Sequence, residues 1–368
     1  VMQNAFQQSF GNASSIHSFG REARLLLEES RETIANSIGA KYDEVYFTSG
    51  GTEADNHALK GIAFAAQNLG KNHIIISAVE HHAVLETAEW LKKHGFTVDL
   101  IPVDSEARID PQHVQKGIKS ATCLISVMHA NNEVGTIEPV REIGRIAKAY
   151  EIPFHSDTVQ TVGKLALDVN ELGVDLIAIS AHKIYGPKGI GAIYIRRGTK
   201  IDSFMQGGSQ ENNRRAGTEN VPLAVGFAKA IQMIVDSREE LDRKSRSVKD
   251  KMISRLSAEF EGILFNGHPQ YSLPHIVSIS FDSRTTKIDG EALIMGMDLR
   301  GVAVTSGSAC ASGSTEVSHV LRAMGRDEKT AKATIRFSTG KATTEDDINY
   351  AVDALHEVVA TMKQAVSA

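Results

Sequence analysis

Lys183 closes the stretch Ser180-Ala181-His182-Lys183, directly after the apolar run Leu176-Ile177-Ala178-Ile179 and before the glycine-rich Ile184-Tyr185-Gly186-Pro187-Lys188-Gly189-Ile190-Gly191. A lysine at the end of a buried-strand pattern costs free energy unless it has a partner or a task. One task suits it. A desolvated lysine amine forms a Schiff base with a carbonyl cofactor such as pyridoxal phosphate. The competing reading is a surface lysine in a strand-to-loop turn, and for a lone lysine that reading is the commoner one.

Residues elsewhere favour the cofactor. Asp157 ends Pro153-Phe154-His155-Ser156-Asp157, with Gln160 three positions on, and lies 26 residues before Lys183, one strand-helix-strand step away. A carboxylate there caps the next helix in many proteins. A pyridine nitrogen, however, needs an anion beside it to keep its proton and make the ring an electron sink. Asp157 and Lys183 would then follow the ends of neighbouring strands. Glu80-His81-His82 follows a strand pattern at 74–77. Adjacent histidines do not share a face and no further ligand cluster is evident, so no metal site is expected. Either the pair sits on the surface at a helix start, or one imidazole lies flat on the cofactor ring and handles protons.

Ser49-Gly50-Gly51-Thr52 falls between a strand and a helix. Glycines there admit a phosphate to backbone N–H groups at a helix N-terminus, though no Gly-Lys-Ser/Thr follows as in a Walker A loop. Asn131-Asn132-Glu133 reads equally as turn chemistry. Arg336, flanked by apolar residues in Thr334-Ile335-Arg336-Phe337-Ser338, calls for a carboxylate, from the protein or from a substrate held bidentately. Cys310 is set among small residues in Ser306-Gly307-Ser308-Ala309-Cys310-Ala311-Ser312-Gly313-Ser314. A buried structural cysteine would not be placed so; Cys310 reads as an exposed nucleophile or sulfur carrier on a flexible loop, whereas Cys123, in mid-strand, reads as inert core.

The elements that must position these residues alternate. Helical spacing covers 21–38, with Gly39 as the stop, and a strand at 45–47 runs into Ser49. A helix follows with Ala54, Ala58, Ile62 and Ala65 along one face. Strand patterns at 74–77, 98–103, 123–128, 153–155, 176–179 and 192–195 are separated by helical patterns at 82–94, 111–118, 140–149 and 222–236. The expected fold is α/β, a mostly parallel sheet covered by helices with ligands at the carboxyl ends of the strands. From residue 240 the character changes. A charged amphipathic helix over 241–260 leads to strands at 275–281, 302–305 and 334–338. Helices are expected at 290–297, near 316–324 and from Thr344, where Asp347 completes a capping box. We expect a large cofactor domain over 1–239 and a smaller α+β C-terminal domain over 240–368 that carries the Cys310 loop.

Bulk properties narrow the function classes. The chain has 368 residues, 42% hydrophobic and 23% charged, with a formal net charge of -5, so no nucleic-acid surface is implied. No apolar run approaches a bilayer span and no secretory signal is visible, so no membrane role is expected. Two cysteines make no disulfide framework and suit a reducing cytoplasm.

With these residues in hand, the chain resembles the cysteine desulfurases of the NifS/IscS type, pyridoxal phosphate enzymes of the aspartate-aminotransferase fold in the class V aminotransferase group. The resemblance runs from about Phe10 to about Val359. It is carried by Thr48-Ser49-Gly50-Gly51-Thr52-Glu53, Glu80-His81, Asn131-Asn132-Glu133-Val134-Gly135, Asp157 with Gln160, and Ser180-Ala181-His182-Lys183. Arg215-Ala216-Gly217-Thr218-Glu219-Asn220 and Ser306-Gly307-Ser308-Ala309-Cys310 complete it. It implies that Lys183 holds the cofactor and that Gly51, Thr52, Ser180 and His182 hold its phosphate. Thr218 would reach the phosphate of the other subunit of a homodimer. Asp157 would pair with the pyridine nitrogen, Gln160 with the ring oxygen, and His81 would stack on the ring and act in catalysis. Asn132, beside the cofactor, and Arg336 would orient the carboxylate of L-cysteine. Cys310 would attack the substrate sulfur, leaving a persulfide on Cys310 and releasing alanine. Sulfur acceptors would be an iron–sulfur scaffold or a tRNA-thiolating enzyme. The long loop around Cys310 resembles the IscS-like subgroup more than the SufS-like one. The family's usual opening strand and Ala-Thr-Thr turn lie before the point at which this sequence starts. Alternative activities on the same fold are a selenocysteine lyase or a transaminase, against which the Cys310 loop speaks, or a low-turnover sulfur-transfer scaffold.

Overall fold

The computed structural model describes residues 1–307 and 317–367. The chain divides into two compact units. The first comprises Val1–Ile101, Pro111–His129 and Pro139–Arg238; the second comprises Pro102–Asp110, Ala130–Glu138 and Glu239–Ala368. Two short segments from the first half of the sequence thus join the C-terminal unit, and one of them carries Asn132.

The first unit is built on a seven-stranded sheet in the order β1-β7-β6-β5-β4-β2-β3. Its strands are β1 (Val45–Thr48), β2 (His73–Ser77), β3 (Thr97–Ile101), β4 (Thr122–Ser126), β5 (Phe154–Asp157), β6 (Leu176–Ser180) and β7 (Gly191–Ile195). The run β3-β2-β4-β5-β6 is parallel throughout, while β7 is antiparallel to both β6 and β1. Every residue of β2, β4, β5, β6 and β7 is buried, which is why β2, β4, β6 and β7 read as mainly apolar runs rather than as alternation, while β5 buries His155, Ser156 and Asp157 as well. Helices Ser18–Ser37, Gly51–Gln67, His82–Lys92, Val140–Ala149 and Val221–Asp236 fall between or beside the strands. The Gly51–Gln67 helix packs on β6 and β7 through Ala54, Ala58, Leu59 and Ile62. Burying Leu59 and Ile62 alone is worth roughly 1.5–3 kcal/mol each. Gly144 shows how closely the elements approach: a Cβ there would lie 2.2 Å from the Leu172 carbonyl oxygen.

In the second unit, β8 (Ile263–Asn266), β9 (Ile276–Phe281) and β10 (Thr334–Ser338) form an antiparallel sheet in the order β10-β9-β8. Its core joins Met252 and Leu256 of the Arg238–Glu259 helix to Ile279, Phe281, Leu293, Ile335, Val352 and Leu355. The last helix, Glu345–Ser367, begins with the predicted capping box: Thr344 N donates to Asp347 Oδ2 at 2.8 Å and Asp347 N to Thr344 Oγ1 at 3.2 Å. The strand expected over 302–305 is not formed. Val302 and Val304 turn toward the core instead, and only Thr305 pairs, as a single bridge with Arg336. The strand expected over 98–103 stops at Ile101, and Val103 bridges Ile109. Among the described residues no helix is long and apolar enough to cross a membrane.

Candidate active site

In the first unit β5 and β6 are neighbours, with Asp157 opposite Ala178, so Asp157 and Lys183 follow adjacent strand ends. Asp157 is buried, and its Oδ1 accepts a hydrogen bond from Val159 N at 2.8 Å. The turn-capping role that competed with the functional one is therefore present as well. A second carboxylate, Asp55, arrives from the Gly51–Gln67 helix. One atom each of Asp55, His81 and Asp157 lies within 4.8 Å of the others. Burial pushes the Asp157 carboxyl up to about 8, and the neighbouring Asp55 adds to the rise against the pull of Val159 N–H, His155 and Lys183. Burial alone lifts Asp55 to about 8.

Two buried carboxylates this close are costly unless a proton or a cation joins them. A protonated pyridine nitrogen is such a group, so the donor set fits pyridoxal phosphate. His81 Nδ1 accepts from Ala83 N at 3.1 Å and caps the His82–Lys92 helix, which fixes how the ring is held. Glu80, fully buried, accepts Met128 N at 2.6 Å and ties that turn to the segment after β4. Two residues before Asp157 in β5, His155 shares a hydrogen bond with Ser126 Oγ at 2.9 Å through Nδ1. Its Nε2 lies 3.4 Å from Asp55 Oδ1, and burial brings the ring down to about 4, leaving it neutral.

Lys183 sits in the 3-10 turn Ala181–Ile184, and it is exposed, not desolvated as a strand-end lysine would be. The reason is that β6 ends at Ser180 and the turn carries the side chain out of the sheet. The Lys183 charge acts on Asp157; burial, with the Lys183 charge adding to it, brings the Lys164 ammonium down to about 8. Ser180 Oγ and His182 Nδ1 are 2.7 Å apart. The Gly50-Gly51 turn packs beside them: a Cβ on Gly51 would meet Val159 Cγ2 at 2.7 Å, and one on Gly191 would meet Gly50 at 2.8 Å. Main-chain N–H groups at the start of the Gly51–Gln67 helix suit an anion. Gln160 is half-buried in the turn after β5, and Thr218 is exposed on the chain leading into the Val221–Asp236 helix.

Two ion pairs hold these loops, and nothing local in the sequence announces either. Arg215 donates to both carboxylate oxygens of Glu53, at 2.7 and 3.1 Å, while Glu53 also accepts Ser49 N at 2.8 Å. Burial would raise the Glu53 carboxyl; Arg215 and Ser49 hold it below its ordinary value. Arg31 meets Glu211 through two bonds of 2.6 and 2.8 Å, and Glu211 also accepts Phe47 N at 2.7 Å. Glu211, Asn212 and Asn213 all lie in the left-handed region, with φ of 47°, 53° and 61°. Such backbone persists only where surrounding bonds impose it. The Arg31–Glu211 pair supplies those bonds.

Asn132 and Arg336 belong to the second unit and are brought together there. Arg336 Nη1 donates to the Asn132 carbonyl oxygen at 2.7 Å, and Arg336 N donates to Thr305 O at 2.7 Å. Asn131 Oδ1 accepts Glu133 N and Val134 N at 2.8 and 3.0 Å, the turn chemistry expected of an asparagine. Cys310 lies outside the described residues. Cys123 is buried within β4, with its thiol pushed up to about 11 by burial, as suits inert core.

The aminotransferase class-V family model matches residues 1–351. The chain is 49% identical over 364 residues to a cysteine desulfurase IscS of Dictyoglomus turgidum, covering 99% of this chain and 91% of the relative. The solved structure of a NifS-like protein matches with a TM-score of 0.90 and 36% identity, covering 98% of this chain and 94% of that one. SspA, solved in complex with cysteine, matches with a TM-score of 0.80 and 33% identity over 92% of this chain and 93% of its own. With its mostly parallel sheet, its small second sheet and these relatives over nearly its whole length, the chain belongs to the class-V aminotransferase family and, within it, to the cysteine desulfurases of the IscS type.

Proposed function

We propose that this chain is a pyridoxal phosphate-dependent L-cysteine desulfurase in which Lys183 holds the cofactor and Cys310 takes the sulfur. The observation that carries this reading is the buried pair Asp55 and Asp157 beside His81, within the electrostatic reach of Lys183. When bound, the cofactor supplies a ring that withdraws electrons and stabilises negative charge on the substrate's α-carbon.

The protein's own groups do the rest. Asp157 would accept a hydrogen bond from the protonated ring nitrogen, His81 would stack on the ring and Gln160 would donate to the ring oxygen. Gly51, Thr52, Ser180 and His182 would hold the phosphate at the start of the Gly51–Gln67 helix. Lys183, once its amine is released, moves a proton from the α-carbon. Arg336 and Asn132 orient the substrate carboxylate, the guanidinium doing so through its planar fork of donors. Cys310, as thiolate, attacks the substrate sulfur. The carbon–sulfur bond breaks, its electron pair stays with carbon, and after protonation alanine leaves while a persulfide remains on Cys310.

A homodimer in which Thr218 serves the partner's phosphate fits the exposed apolar residues near the N-terminus, Phe6, Phe10, Ile16, Phe19 and Leu25. The acceptors we propose are an iron–sulfur scaffold or a tRNA-thiolating enzyme, in a reducing cytoplasm. The test is an absorption spectrum of the purified, cofactor-loaded protein before and after L-cysteine, with alanine and sulfide assayed together. Equimolar alanine and sulfide in the presence of a reductant supports the reading. A keto acid in place of alanine points to a transaminase.

A further inference from the structure

Asp55 stands on the Gly51–Gln67 helix, which packs against β5, and its side chain is buried. Its Oδ1 faces His155 Nε2 at 3.4 Å, and among the described residues neither atom has a hydrogen-bond partner elsewhere. The other ring nitrogen, Nδ1, is 2.9 Å from Ser126 Oγ, and Ser126 is the register partner of His155 across β4 and β5. Three buried side chains, from one helix and two strands, thus stand in line. Residues two apart in a strand share a face, so the His155 ring lies on the side of β5 that Asp157 occupies. The line ends beside Asp157: one atom each of Asp55, Asp157 and His81 lies within 4.8 Å of the others. No step of the proposed reaction uses Ser126 or His155.

A carboxyl group and an imidazole can meet here in two ways. With a proton on Asp55, its O–H donates to Nε2 and Nδ1–H donates to Ser126 Oγ. With Asp55 ionised, Nε2–H donates to Asp55 and Nδ1 accepts from the Ser126 hydroxyl. The imidazole is neutral in both; the two arrangements differ by one proton and by the tautomer. Asp55 can therefore change its charge inside the protein without leaving a buried atom unpaired. Burial lifts Asp55 to about 8 and takes His155 down to about 4, which selects the first arrangement near neutral pH. A cation brought against Asp157 selects the second.

We propose that Asp55 and His155 are a positioning pair for the ring-nitrogen contact: the pair gives up one proton as a protonated ring enters, and the charge left on Asp55 strengthens the hold of Asp157 on the ring proton. This rests on the reading in which Asp157 faces the pyridine nitrogen. Asp55 acts through Asp157 and has no contact with the ring. The groups that face Asp55 are His81, His155 and Asp157, and those that act on Asp157 are Asp55, His155 and Lys183. Losing one buried charge at this range moves a titration midpoint by about one pH unit or more.

The test uses the full chain loaded with pyridoxal phosphate that carries an isotopic label on its ring nitrogen. The chemical shift of that nitrogen reports whether it is protonated. It is followed by solid-state NMR as pH is raised, in the parent and in Asp55→Asn, His155→Leu and Asp157→Asn. Asp55→Asn is expected to load and to lose the ring proton at a pH lower than the parent by about one unit or more. His155→Leu leaves Asp55 without the partner that lets it ionise and is expected to move the midpoint the same way; it carries the test should Asp55→Asn fail to load. The proposal is overturned if Asp55→Asn keeps or raises the parent midpoint. A pair that merely holds the fold together would weaken loading without moving the midpoint, and that result overturns the proposal as well. Should Asp157→Asn also leave the midpoint in place, the position of Asp157 at the ring nitrogen is refuted instead. A lower midpoint in Asp157→Asn alone removes the role of the pair and leaves that of Asp157 intact.

Discussion

Arg336 and Asn132, 204 residues apart in the chain, are joined by a 2.7 Å hydrogen bond from the guanidinium Nη1 to the main-chain carbonyl oxygen. The bond fixes the plane of the guanidinium, and with it the direction in which a carboxylate would be met. Lysine cannot reproduce a planar fork of donors. Arg336→Lys is expected to raise KM for L-cysteine at least tenfold with cofactor affinity unchanged, measured from the rate of alanine formation. An unchanged KM would remove Arg336 from substrate binding.

Cys310→Ser tests the thiol. The variant is expected to keep the visible absorbance of the loaded protein and its response to L-cysteine. Sulfide release in the presence of a reductant should fall at least a hundredfold, and no persulfide should form. Sulfide production at the parent rate would show that sulfur leaves by another route.

Asp157→Asn tests the anion at the end of β5. Asparagine keeps the shape and a hydrogen-bonding oxygen but not the charge that holds a proton on the ring nitrogen. Cofactor should still bind, more weakly, while kcat for alanine formation drops at least a hundredfold. A kcat within a few-fold of the parent would contradict the role given to Asp157.

The buried carboxylates also make a statement about pH. Burial raises Asp55 from an ordinary 3.8 to about 8 in the folded chain, with His155, Asp157 and His81 facing it. Between those two values the unfolded chain sheds the proton that the folded chain keeps. This contribution to stability is therefore full below about pH 4 and is lost as pH rises toward 8. Asp55→Asn removes that dependence and relieves Asp157 as well. In urea melts of the cofactor-free protein, the variant's stability relative to the parent is expected to increase steadily from pH 5 to pH 8. A pH-independent difference would show that Asp55 is not held protonated.

Much of this architecture is legible in the residues themselves, for a physical reason. Parallel strands buried on both faces are built mainly of apolar side chains, so Ile74-Ile75-Ile76 and Leu176-Ile177-Ala178-Ile179 announce themselves, and the residues that end such strands are where ligands sit. Strand direction leaves no such mark, and the antiparallel course of β7 appears only in the pairing. Four-residue β8 is too short to show a period. Arg31 and Glu211, 180 positions apart, and Glu53 and Arg215, 162 apart, are joined only by the fold. Asp55 did carry a signal. It stands three and four residues before Ala58 and Leu59, on the buried face of its helix, where an acid is out of place unless it has work to do.

Everything in the proposed mechanism depends on one amine, that of Lys183, as the anchor of the cofactor. The most direct measurement is borohydride reduction of the protein loaded with pyridoxal phosphate, followed by proteolysis and mass spectrometry of the peptides. A single reduced phosphopyridoxyl adduct is expected, on Lys183, and none in Lys183→Ala. An adduct on Lys164 or another lysine, or no adduct on a protein that binds the cofactor, would contradict it.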